Sequence, residues 1–177
     1  PLGNKDRAYQ RTADQSQTPA TNPDQRHQIL YNLGLWCGVK EVREIKEANK
    51  KNEESNAPYF LFIGALRYYK GLTYLMQAAK QVKAKVVVVG TGPDLDALAK
   101  QTRRDGHNTN VIFAGLVSDA DKFALLRDCV ALVLPSPRRS EAFGMTLVEA
   151  SMFAKPMISC EIGTGTSYVN VHGKTGL

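Results

Sequence analysis

Two glutamates, Glu141 and Glu149, stand with seven residues between them and bracket Gly144. Ahead of them runs Val130-Ala131-Leu132-Val133-Leu134, an apolar stretch of strand length closed by Pro135-Ser136-Pro137. Behind them an apolar helical pattern reaches Phe153. A strand that ends and a helix that begins at this glycine would present free backbone N–H groups and a positive dipole end, which together suit an anionic phosphate. A carboxylate one to two turns into such a helix can reach neutral hydroxyls of the same ligand. Acid, glycine, acid is therefore the layout expected for a phosphorylated sugar or a nucleotide. Acids in the first turns of helices are also ordinary dipole chemistry, so the spacing gains weight only from what surrounds it.

The surrounding pattern is regular from Pro58 onward. Tyr59 to Ile63 is an apolar run, followed by Leu72, Leu75, Met76, Ala79 and Val82 at helical spacing. Val86 to Val89 reads as a second strand and Leu95 to Ala99 as a short helix. Val111 to Ala114 is a third strand, and Phe123, Leu126 and Cys129 mark the next helix. Val130 to Leu134, a helix over Leu147 to Phe153 and a strand over Pro156 to Ser159 complete the series. Continuous apolar strands alternating with helices predict a parallel sheet covered on both faces. Right-handed crossovers then give an α/β, Rossmann-like, doubly wound domain over residues 58–177. Residues 1–57 read as a polar tail, with Ile29 to Trp36 more apolar and Val39 to Glu54 a surface helix.

Gly64, Gly90 with Gly92, Gly115, Ser136 and Gly163 all follow the carboxyl ends of predicted strands. In a parallel sheet those ends share one edge, where such folds bind ligands. Glycines also simply make tight turns there. The loop Gly64-Ala65-Leu66-Arg67-Tyr68-Tyr69-Lys70-Gly71 would face that edge. Its Arg67 can grip phosphate oxygens bidentately and its Lys70 supplies a point charge, both opposing the acidic loop at Glu141. Tyr68 and Tyr69 could lie on a sugar or base, or cover the domain edge. Gly90-Thr91-Gly92-Pro93 begins like a dinucleotide fingerprint, but Leu95 stands where its third glycine belongs. Gly173-Lys174-Thr175 ends like a P-loop, but Tyr168 occupies the position of the required glycine. Ser118 with Asp121 suggests helix-start capping.

Composition bounds the rest. The chain of 177 residues is 43% hydrophobic, ample for one core. No run approaches the roughly 18 apolar residues of a membrane span. Residues 58–177 carry fourteen Lys and Arg against nine Asp and Glu, a net +5, whereas residues 1–57 are nearly balanced. That sign fits an anionic ligand or an anionic membrane face. The positives are scattered without interleaved aromatics, which disfavours nucleic acid. Cys37, Cys129 and Cys160 are odd in number and far apart, which argues for reduced thiols and a cytoplasmic location. Cys129 and Cys160 read as small core residues. No His or Cys has metal-ligand spacing.

Residues 58–177 are similar to the nucleotide-sugar-binding, C-terminal domain of a family 4 retaining glycosyltransferase, one half of a GT-B architecture. The resemblance rests on Phe62-Ile63-Gly64 through Lys70-Gly71, Val89 to Pro93, Val111 to Gly115, Pro135-Ser136, the glutamate pair and Ala154-Lys155-Pro156. Leu66 to Gly71 together with Ser159 to Thr166 most resembles bacterial mannosyltransferases of surface-polysaccharide assembly. The resemblance implies GDP-mannose as donor, a hydroxyl acceptor and no metal. Lys70 and Arg67 would neutralise the donor diphosphate, and Glu141 would lie near donor sugar and phosphate. Glu149 would accept hydrogen bonds from the ribose. Gly64 and Gly92 would line the site, the backbone of Gly144, Met145 and Thr146 would meet phosphate or sugar, and Val117 would contact the base through its main chain. Ala65 stands where the family pattern has Arg, which leaves Arg67 as the nearest replacement. The resemblance implies an N-terminal acceptor domain and a C-terminal crossover helix that these residues do not supply. The expectation is a chain that binds donor yet transfers sugar poorly alone, its parent working at the cytoplasmic membrane face. The competing reading is a non-catalytic nucleotide-binding module. A glycosidase pair is set aside because the basic loop and helix start point to phosphate, and an NAD domain because its fingerprint breaks at Leu95.

Overall fold

The computed structural model describes residues 58–104 and 110–177. The expectations for the tail, for Ile29 to Trp36 and for the helix over Val39 to Glu54 lie outside the described residues. Five strands, β1 (Tyr59–Ile63), β2 (Lys85–Val89), β3 (Val111–Gly115), β4 (Ala131–Leu134) and β5 (Met157–Ser159), form one sheet in the order β3-β2-β1-β4-β5. Every neighbouring pair is parallel. The register runs from Tyr59 opposite Lys85 to Ile63 opposite Val89, and Leu132 faces both Leu61 and Met157. Val86 to Val89 and all of β3 are buried, as a sheet covered on both faces requires.

The helices are α1 (Leu72–Ala79), α2 (Leu95–Arg104), α3 (Asp119–Asp128), α4 (Met145–Met152) and α5 (Gly165–Val169). Helix α1 buries Leu72, Leu75, Met76 and Ala79 on one stripe, where each large apolar side chain contributes about 1.5–3 kcal/mol. Thr102 of α2 bonds the carbonyl of Leu98 at 2.8 Å and the Met76 sulfur at 3.3 Å, so α1 and α2 pack on one face. Right-handed crossovers put α3 and α4 on the other face, where the Phe123 and Phe153 rings meet at 5.8 Å. Ser118 caps α3 by accepting a 3.1 Å bond from the Asp121 N–H, the predicted device. The Tyr59 hydroxyl donates to the Leu125 carbonyl at 2.8 Å and ties β1 to α3; burial raises its pKa.

Several boundaries differ from expectation for local reasons. Helix α2 runs on to Arg104 instead of stopping at Ala99, because Thr102 has a buried partner on α1. Helix α1 ends at Ala79, which leaves Val82 exposed off the apolar stripe. Val130 precedes β4 and is exposed, and Phe123 is exposed at the outer rim of α3. Cys129 is buried, its thiol pushed up to about 11 by desolvation. Cys160 is only half-buried, since β5 lies at the sheet edge.

Candidate functional site

The strand order reverses between β1 and β4, since β2 and β3 lie on one side of β1 and β4 and β5 on the other. At such a reversal the loops diverge and leave a crevice outside the carboxyl edge. The loop after β1 brings Lys70 there, on a 3-10 turn over Tyr68–Lys70. The loop after β4 brings Glu141. The Lys70 ammonium donates to Glu141 Oε2 at 2.5 Å, and both side chains are largely buried. The Ser136 hydroxyl donates to the Tyr69 carbonyl at 2.7 Å, and its oxygen lies 3.3 Å from the same carboxylate oxygen. Expected opposition of charge between the two loops is thus a direct, enclosed ion pair. Burial of both partners makes each depend on the other, because an unpaired charge there would be costly.

Glu141 is also held through its backbone. Its N–H donates to the Arg138 carbonyl at 3.0 Å, and its carbonyl accepts from Thr164 Oγ1 at 2.8 Å. The Gly165 N–H bonds the Ala142 carbonyl at 2.9 Å. The loop after β5 therefore braces the turn that carries Glu141, a role for Thr164 that spacing did not announce. Gly144 adopts a left-handed conformation (φ 77) as the N-cap of α4, with no side chain capping the helix. The first N–H groups of a helix lack internal partners, so Met145 and Thr146 present their amides beside Glu141. Met145 is exposed and Thr146 half-buried.

Glu149 lies on the second turn of α4 and points to α3. Lys122 donates to its Oε1 at 2.9 Å and also lies 3.5 Å from Asp119. The Glu149 bond raises the Lys122 pKa above the ordinary lysine value. Sequence reading passed over Lys122. A cation in the first turn of a helix runs against the dipole, and that anomaly could have flagged it.

The remaining predicted residues fall into two groups. Gly64, Gly92 and Val117 lie on the same carboxyl edge. There the loops bond to one another: Gly64 N to Val89 O at 3.0 Å, Leu66 N to Thr91 O at 2.9 Å and Gly90 N to Gly115 O at 2.8 Å. A Cβ at Gly92 would lie 2.3 Å from the Leu66 carbonyl oxygen, so this glycine serves the close approach of two loops. Val117 is half-buried beside the exposed Leu116. Arg67 takes no part in the Lys70–Glu141 pair. Among the described residues it makes no ion pair, and it lines a groove of about 240 Å³ with Tyr68, Leu72, Asp94 and Leu98. The local reason is the turn beginning at Tyr68, which sends Lys70 toward β4 and leaves Arg67 over α1 and α2. Tyr68 stacks under Arg138, whose guanidinium is 5.7 Å from the ring centre. Among the described residues no group of three or more His, Cys, Asp or Glu gathers as a metal site would, and no helix is long and apolar enough to cross a membrane.

A parallel α/β domain with paired charges at its strand-order reversal defines a class, the Rossmann-like domains that bind ligands at the carboxyl edge of the sheet. Residues 43–177 match the family described as glycosyl transferases group 1, and the chain belongs to that family. It is 52% identical over 125 residues to D-rhamnosyltransferase WbpZ of Pseudomonas aeruginosa, covering 71% of this chain and 32% of the relative. It is 51% identical over 112 residues to O-antigen chain mannosyltransferase C of Escherichia coli, covering 63% and 30%. The chain thus spans about a third of the length of these relatives. Among solved structures, the lipopolysaccharide outer core galactosyltransferase WaaB in its apo form superposes with a TM-score of 0.60 at 24% identity, over 71% of this chain and 36% of that one. Anabaena HepE in complex with UDP and glucose superposes with a TM-score of 0.62 at 21% identity, over 82% and 40%.

Proposed function

We propose that these residues form the donor-binding half of a retaining hexosyltransferase that takes a nucleoside diphosphate sugar, such as GDP-mannose, and passes the sugar to an acceptor hydroxyl. The observation that carries this reading is the enclosed Lys70–Glu141 pair at the strand-order reversal, beside the uncapped start of α4. Lys70 and the amides of Met145 and Thr146 would meet the diphosphate, with Arg67 at its outer rim. Fixed donors aimed at the oxygen where charge develops lower the barrier to its departure, so the reading assigns the leaving diphosphate to these groups rather than to a metal. Glu141 would face the donor sugar, Glu149 the ribose hydroxyls, and the main chain at Val117 the base. Mannose is in keeping with the 51% identity to a mannosyltransferase, and the 52% identity to a D-rhamnosyltransferase supports D-rhamnose equally. A nucleotide diphosphate is in keeping with the fold shared with HepE, solved with UDP and glucose. The acceptor half is assigned to sequence outside these residues.

Calorimetric titration of GDP-mannose, GDP and UDP into the chain tests the reading. Guanine ligands are expected to bind, and Glu149→Ala to weaken them by ~1–3 kcal/mol, the scale of a hydrogen bond to a charged group. Binding unaffected by Glu149→Ala would remove Glu149 from the site, and UDP binding as well as GDP would remove the guanine preference. The +5 charge of residues 58–177 also supports peripheral attachment to an anionic membrane face. Sedimentation with liposomes should then rise with anionic lipid content, and equal sedimentation with neutral liposomes would exclude it.

A further inference from the structure

A site for a doubly negative diphosphate that also holds two carboxylates faces like-charge repulsion. The structure answers it in the same way twice. Glu141 is matched by Lys70, and Glu149 is matched by Lys122. The second pair spans two helices that both start at the ligand edge, α3 after β3 and α4 after β4. Lys122 is itself steadied, by Asp119 at 3.5 Å and by the Phe123 ring, whose centre is 5.0 Å from its ammonium. Phe123 in turn rests on Phe153 at the end of α4. Lysine, ring and ring thus clamp α3 to α4 around Glu149. Among the described residues only Oε1 of Glu149 has a hydrogen-bond partner, and Oε2 has none.

Resting on the donor-site reading above, we propose that Lys122 is the positioning residue for Glu149: its ammonium holds one carboxylate oxygen and turns the other toward the two hydroxyls of the donor's ribose. A free glutamate side chain on a helix samples many rotamers, and fixing it costs conformational entropy. Lys122 places that ordering in the folded protein instead of in the binding step. It also offsets the negative charge that would otherwise repel the diphosphate. The contact reads the sugar of the nucleotide and not its base, so Lys122 governs discrimination between ribose and 2′-deoxyribose.

Titrating GDP and 2′-deoxy-GDP into the 177-residue chain, its Lys122→Met variant and its Lys122→Arg variant tests this. Wild type should prefer GDP. Lys122→Met, with its thermal unfolding checked by circular dichroism, should bind GDP about tenfold more weakly, the scale of one charged hydrogen bond, and lose most of the preference. Lys122→Arg keeps the charge and should keep the preference. If Lys122→Met weakens both ligands equally, the residue acts only through structure or bulk charge, and the proposal is overturned. If Lys122→Met does not fold, loss of the preference in Lys122→Gln decides in its favour and retention decides against it. Wild-type binding with an unchanged Lys122→Met overturns this inference alone. Failure of the wild type to bind either nucleotide overturns the donor-site reading and this inference with it.

Discussion

Replacing Lys70 with Met is expected to destabilise the domain by about 3 kcal/mol and to remove measurable binding of a nucleoside diphosphate. Glu141 is 7% exposed as a residue, and its carboxylate has Lys70 as its one cationic partner among the described residues. Methionine keeps the bulk of the lysine stem but leaves the carboxylate enclosed and uncompensated. Breaking such a pair on one side costs ~3–5 kcal/mol in fully buried cases. The lower end applies here because the two side chains keep 14% and 9% of their exposure. Adding Glu141→Gln to Lys70→Met removes the stranded charge and leaves a group that Ser136 can still bond. The double variant should therefore recover most of the stability in urea unfolding while remaining unable to bind. A single variant as stable as wild type would show that the pair is open to solvent in solution. A double variant that binds as wild type would move the anion elsewhere.

Gly71→Ala is expected to cost about 3 kcal/mol or more, again by urea unfolding. Gly71 sits at φ 69 between the 3-10 turn and α1, and a Cβ there would lie 1.9 Å from the Pro135 carbonyl oxygen. Two penalties combine: the left-handed conformation, at ~1–2 kcal/mol for a residue with a side chain, and forced separation of the loops after β1 and β4. Gly173→Ala isolates the first. Gly173 has φ 71 and nothing within 4 Å of the added atom, so it should lose only the conformational part. Equal losses for the two variants would mean that the loops part freely. A larger loss at Gly71, with weaker nucleotide binding in whatever folds, would show that the close approach of the loops places Lys70.

Much of the architecture was legible because burial on both faces leaves an unmistakable trace. Val86 to Val89 and Val111 to Ala114 are continuous apolar runs of strand length, and both are strands. The edge that gathers Lys70 and Glu141 followed from parallel topology, and their opposite charges suggested the meeting. Their burial and direct bond did not follow, because enclosure depends on how the loops after β1, β4 and β5 fold over one another. Arg67 looked equivalent to Lys70 until the 3-10 turn separated them. The contact of Lys122 with Glu149 joins residues 27 positions apart on two helices, and no periodicity within either helix encodes it. Gly92 illustrates a further limit. A glycine that admits a ligand and one that admits a neighbouring loop are written with the same letter, and here the neighbour is Leu66.

The bonds that run from loop to loop along the carboxyl edge have a dynamic consequence. Binding loops are usually drawn from the least stable parts of a protein and open locally at little cost. Here the loops after β1, β2 and β3 continue the pairing of the strands beneath them, through Gly64 to Val89, Leu66 to Thr91 and Gly90 to Gly115. They belong to the same cooperative unit as the sheet, so exposing their amides to exchange with solvent requires opening the central strands themselves. That side of the crevice is therefore set when the domain folds, before any ligand arrives.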